Sequence, residues 1–201
     1  MKKKTKYRKK EFNLLEEYKQ SWKYIKESKK FIYLVIGIFS FFLLVGYFIP
    51  APEEVYQVIM NFLEETLEKV QGMSQIEIIG FLISNNVQST FFGILYGVIF
   101  GIFPLISTIA NGYLLGFVLS ISLESEGLLT LLKLLSYGIF ELSAVFISLG
   151  LGIKMGTFIF KKKKFESLAR FLINSLRVCL LVVIPLLVIA GIIEGTLIFF
   201  S

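Results

Sequence analysis

The sequence predicts an all-α integral membrane protein, a bundle of about five transmembrane helices with amphipathic interfacial helices. Composition, the length of the apolar runs and the placement of charge each point that way. Of 201 residues, 55% are hydrophobic, 18% are charged and 21 are Phe, and the mean hydropathy is +0.74. Soluble domains average about 45–50% apolar and about 25% charged residues, so the chain falls outside that class. Its apolar runs also reach the roughly 20 residues that a helix needs to span a bilayer.

The first such run, FIYLVIGIFSFFLLVGYFIP at 31–50, is too long and too far from the N-terminus for a cleaved signal peptide, and reads as span 1. Charge position then says more than the net charge of +6. Residues 1–30 carry 12 Lys/Arg against 4 Glu, whereas 51–80 hold six Glu against Lys69 alone. A small acidic loop with Glu124 and Glu126 follows, then KKKK at 161–164 with Arg170 and Arg177 behind it. The positive-inside rule turns this into a topology. The N-terminus is cytoplasmic, spans lie at about 31–50, 86–104, 106–123, 130–160 and 173–199, and the C-terminus is outside. The chain turns at Pro104 between spans 2 and 3. Both basic segments fall inside and both acidic ones outside, an agreement that four or six spans would break. The expected setting is a cell membrane crossed several times.

Two segments read as amphipathic. In the basic cytoplasmic tail, residues 1–30, Phe12, Leu15, Trp22 and Ile25 recur at helical spacing. Either a juxtamembrane helix lies there among anionic lipid headgroups, or the tail is solvated. In 52–84, Val55, Ile59, Phe62 and Leu67 fall roughly on one face, which suits an outer-surface helix ahead of span 2. Anionic headgroups are a simpler partner for the basic tail than nucleic acid, given the adjacent span.

Glycines recur four residues apart: Gly93, Gly97 and Gly101, then Gly112 with Gly116, Gly152 with Gly156, and Gly191 with Gly195. Such rows let helix backbones approach closely in lipid, within one chain or across a homo-oligomer or heteromeric interface. Charge within spans is confined to Glu141, Glu194 and Lys154, with Lys133 near the outer end of span 4. A mid-bilayer charge costs roughly 2.5–3.5 kcal/mol, so these side chains are expected to face the interior with partners. Lys154 is placed to snorkel toward the lysine run. Lys133, Tyr137 and Glu141 share one helix face, and Glu194 falls at a similar depth to Glu141, where two carboxylates can share a proton. Asn111 and the pair Asn85–Asn86 supply amides at helix ends. Structural polar contact is the alternative for each. With no histidine and one cysteine, Cys179, the chain lacks ligand sets for zinc or haem and any imidazole for acid–base work; no metal and no cofactor are expected.

The run FLISNNVQSTFFGILYGVIFGIFPLISTIANGYLLG resembles the centre of the stage II sporulation protein M family. YGIFELSAVFISLGLGIKMG resembles its most recognisable block, IPLLVIAGIIEGTL its C-terminal span and YIKESKKFIYLVIGIFSFFLLVGYF its lead-in. The likeness covers about residues 24–200 and rests on the order and spacing of the blocks. Gly138, Glu141, Asn111, Gly112, Gly116 and Glu194 match the family pattern. The pattern favours Pro-His-Gly where Ser136, Tyr137 and Gly138 stand, so the histidine has no counterpart. The resemblance implies a multi-pass membrane protein; the namesake localises a complex of two peptidoglycan-degrading proteins during engulfment. The general role expected is therefore a scaffold for partner proteins in envelope processes. A transport or permease subunit using Glu141 and Glu194 is the alternative, and it predicts that these carboxylates line a cavity. Without an evident nucleophile–base pair, an intramembrane enzyme is not expected.

Overall fold

The computed structural model describes residues 13–200, apart from the side chains of 124–126 and 128–130. The basic stretch 2–10, Phe12 and the side chains of Glu124 and Glu126 lie outside the described residues. Seven α-helices and no strand occur among those described: α1 Leu14–Phe48, α2 Glu53–Val70, α3 Gln75–Leu95, α4 Ile102–Glu126, α5 Leu128–Gly156, α6 Lys164–Val178 and α7 Ile184–Phe199. Five helical stretches are long and apolar enough to cross a membrane: Leu14–Phe48, Gln75–Val98, Ile102–Leu123, Leu131–Phe160 and Lys164–Phe199.

Several boundaries differ from the expected ones, each for a local reason. Among the described residues no separate interfacial helix precedes span 1: α1 runs unbroken for 35 residues from its N-cap Asn13, whose side chain accepts from the Leu15 and Glu16 N–H groups. Its early turns bury Ser21, Tyr24 and Ser28, while Leu15 and Trp22 stay exposed. Polar contacts hold this extension against the bundle: Glu17 pairs with Arg177 of α6, and Ser28 accepts from Lys154 of α5. An in-plane helix would lose both.

The segment 52–84 is split. α2 ends before Gly72, which adopts φ 79°, and α3 starts at Gln75. Glu77 Oε2 accepts from the Ser74 N–H at 2.8 Å and from its hydroxyl at 2.7 Å, so a Ser-x-x-Glu sequence begins span 2 well ahead of residue 86. No residue of α2 is buried. Ile59 and Leu63 turn partly toward the bundle, whereas Val55, Phe62 and Leu67 are exposed.

Spans 2 and 3 turn at Ile99–Gly101, not at Pro104. Phe100 (φ 53°) and Gly101 (φ 72°) occupy left-handed backbone, strained for the phenylalanine. Pro104 sits in the first turn of α4, where a missing N–H leaves no intrahelical bond unmade. The expected acidic loop is likewise absent: α4 continues to Glu126, and Gly127 (φ 70°) alone separates it from α5. At the other end, α6 continues through a π-helical stretch, Cys179–Val183, into α7. Pro185 lies just past that stretch, and wider π turns absorb the hydrogen bond and the space that proline denies.

α5 lies at the centre, packed on α1, α3, α4, α6 and α7, and α1 packs most extensively on α4. The glycine rows sit at these crossings. A Cβ at Gly112 would strike the Phe39 backbone, and one at Gly116 the Leu43 carbonyl. Gly93 and Gly97 meet Leu149 and Gly152 of α5, and Gly156 meets the Phe100–Gly101 turn. Gly191 and Gly195 receive Ile83 and Ile79. Gly138 differs, since a Cβ there would meet only Leu134 of its own helix.

Gly116→Ala is expected to destabilise the bundle by about 1–3 kcal/mol, because Leu43 backbone cannot yield without separating α1 from α4. Gly37→Ala, with open space around it, is expected to be neutral or slightly stabilising. Thermal unfolding of both purified variants in detergent checks the pair.

Candidate functional site

Glu141 enters the bundle interior because it is carried by the central helix, on the stretch of α5 that lacks a close backbone neighbour. A cavity of about 250 Å³ opens beside it. Tyr137, Gly138 and Glu141 of α5, Asn111 of α4 and Glu194 of α7 all line it. Phe39 of α1 and Leu63 of α2 close other sides, so five helices contribute. With a water needing about 30 Å³, the space admits several.

The polar groups differ in how they are satisfied. The Asn86 side chain of α3 sits beside the Glu141 carboxylate. Asn111 spends its amide on its own helix, donating to Ser107 O at 2.7 Å and Ser107 Oγ at 3.1 Å. Glu194 Oε2 is buried and has no hydrogen-bond partner among the described residues. The two carboxylates feel one another electrostatically, and Tyr137 feels both. Two like charges facing a small cavity in a low dielectric call for a shared proton or a cation between them. Among the described residues no three His, Cys, Asp or Glu side chains group in a way that could hold a metal.

Tyr137, Glu141, Glu194 and Asn111 thus share one cavity. Lys133 does not join them: it lies on the same helix face but is exposed and outside the lining. Asn86 is the contributor whose role the sequence did not single out, although Asn85–Asn86 is the one amide pair in span 2. Lys154 also departs from expectation. It is 8% exposed, and its Nζ does not reach out to the lysine run but donates to Ser28 Oγ at 2.9 Å, 3.7 Å from the Tyr24 ring centroid.

A helical bundle with five candidate spans and a cavity between its helices lined by two carboxylates defines a multi-pass membrane protein. The family model described as stage II sporulation protein M matches residues 34–197, and the chain belongs to that family. No curated protein and no solved structure matches the chain.

Glu194→Gln is expected to stabilise the bundle at neutral pH by about 1–2 kcal/mol, since it removes a buried carboxylate with an unpartnered oxygen beside a second acid. Glu141→Gln, which keeps a polar side chain of the same shape beside Asn86, is expected to change stability less. Melting temperatures of the two variants measured together decide this; a Glu194→Gln protein less stable than wild type would show that the carboxylate has a partner.

Proposed function

We propose that the chain is a membrane scaffold, with its N-terminus in the cytoplasm and its C-terminus outside, that anchors or localises partner proteins in envelope or membrane remodelling. The observation that carries this reading is α2. Its 18 residues bury nothing, yet it displays Val55, Val58 and Phe62 along one face beside Glu54, Glu65 and Glu68. It touches the bundle at isolated points such as Tyr56 on Phe117, with ring centroids 5.7 Å apart. An apolar strip with an acidic rim, carried on a rigid base, is what a protein partner uses for docking. Membership of the stage II sporulation protein M family supports the same reading. In it the chain performs no catalysis: Glu141 and Glu194 act within the bundle and the partners carry the chemistry.

Isolation of the tagged protein from membranes of its own host in mild detergent tests this. Partners with extracytoplasmic domains are expected with wild type and Glu141→Gln alike, and are expected to be lost with Val58→Ser/Phe62→Ser, whose sites are exposed. Recovery of no partner with any form would overturn the scaffold.

The carboxylate cavity favours a second reading, a transport or permease subunit in which Glu141 and Glu194 form a proton- or cation-responsive site. Proteoliposomes would then show proton or sodium flux that falls at least about tenfold in Glu141→Gln/Glu194→Gln. Flux equal to that of protein-free liposomes removes this reading.

A further inference from the structure

The end of the bundle opposite α2 holds a second cavity, of about 460 Å³. Lys154, Lys161 and Arg170 line it together with Tyr24 and Glu27. Lys154 carries its charge inside the fold, and a buried ammonium is costly unless its three donors and its charge are met. Ser28 Oγ takes one donor, and the Tyr24 ring offers a π-face but no net negative charge. The ion pairs between described residues, Lys163–Glu166 and Arg177–Glu17, include none of the three cations of this cavity. Glu27 faces the cavity and acts on Lys154 at longer range, one negative charge against three positive. The space therefore has donors and positive charge to spare.

Its depth indicates what supplies the anion. The cavity sits where α5 ends and the lysine run begins, and large aromatic side chains are exposed at this end: Trp22 at 54%, Phe160 at 82% and Phe165 at 84%. Aromatic rings and lysines together mark the level of lipid headgroups, where phosphates lie. We infer that this cavity binds the phosphate of an anionic phospholipid headgroup. Arg170 presents a planar fork that suits phosphate oxygens, Lys161 adds a mobile charge at the rim, and Lys154 holds a fixed charge at the back. This site is built from α5, α6 and the early turns of α1, and does not use residues 1–12.

Native mass spectrometry of the full chain in detergent, titrated with phosphatidylglycerol or with phosphatidylcholine, tests it. One phosphatidylglycerol is expected to be retained under conditions that strip phosphatidylcholine. Its affinity is expected to fall roughly ten- to thirty-fold in Lys161→Gln/Arg170→Gln. Lys162→Gln/Lys164→Gln removes the same charge from exposed positions outside the lining, and is expected to leave retention nearly unchanged. Glu27→Gln is expected to tighten it. Circular dichroism of each variant confirms the fold. Inorganic phosphate is titrated in a separate arm. A phosphate adduct that is lost in Lys161→Gln/Arg170→Gln, with phosphatidylglycerol held no better than phosphatidylcholine, would keep the phosphate chemistry and overturn the lipid as its source. Equal retention of both lipids with no phosphate adduct, or equal loss in the two double variants, would overturn the site.

Discussion

Apolar side chains gain little by leaving lipid for one another, so a bundle in a membrane needs contacts close enough for backbones to touch. α5 meets that constraint on several sides within seven residues: Gly150 receives Ile32 of α1, Gly152 receives the Gly93 carbonyl and the Pro104 ring, and Gly156 receives the Phe100–Gly101 turn. The strained backbone at Phe100 becomes intelligible from this arrangement, because the turn is pressed against a glycine that leaves no room for another path. Further along the same helix the close contacts stop. Around Gly138 no neighbouring backbone closes in, and the carboxylate cavity occupies the space that remains. Tight packing at one end of α5 and the open site at the other are two outcomes of where its glycines fall.

Charge follows the same division. Glu141 and Lys154 are 13 residues apart on one helix, about 20 Å along its axis. The acid belongs to a cavity roofed by Leu63 of α2, the base to a cavity bordered by the lysine run. The crossings at Gly150 and Gly152 lie between, so the bundle keeps Glu141 and Lys154 apart and does not neutralise them against each other. The asymmetry written in the loops, acidic at one end and basic at the other, extends into the interior.

The number of spans was legible in the sequence, as were the grounds for expecting Glu141 in the interior near Tyr137 and Glu194, because hydropathy, helical spacing and the cost of charge in lipid all act on single segments. What was not legible depended on pairs of segments or on backbone detail. The buried face of early α1 is Ser21–Tyr24–Ser28, and serines carry no hydropathy signal to set against Leu15 and Trp22. Lys154 turns inward to Ser28, a contact between residues 126 apart in the chain. Phe100 adopts a left-handed conformation that no composition rule assigns to phenylalanine, so Pro104 was the more visible marker of the turn. The start of α3 is the exception: Ser74 and Glu77 stand three apart ahead of an apolar run, a signal present in the sequence but masked in hydropathy by Glu77 and Asn85–Asn86 themselves.

The π-helical stretch at Cys179–Val183 sets the phase of everything after it. A π turn holds more residues than an α turn, so the faces of α6 and α7 are not continuations of one 3.6-residue period. Gly191, Gly195 and Glu194 point where they do because the count is shifted before Pro185. A chain with the same number of residues between Val178 and Pro185, but wound there as an unbroken α-helix, would have the same composition and the same five hydrophobic peaks. Its last helix would nevertheless be rotated by about 100°, with the glutamate swung off the cavity and the glycines off Ile79 and Ile83. The winding of this stretch carries the information that hydropathy leaves out.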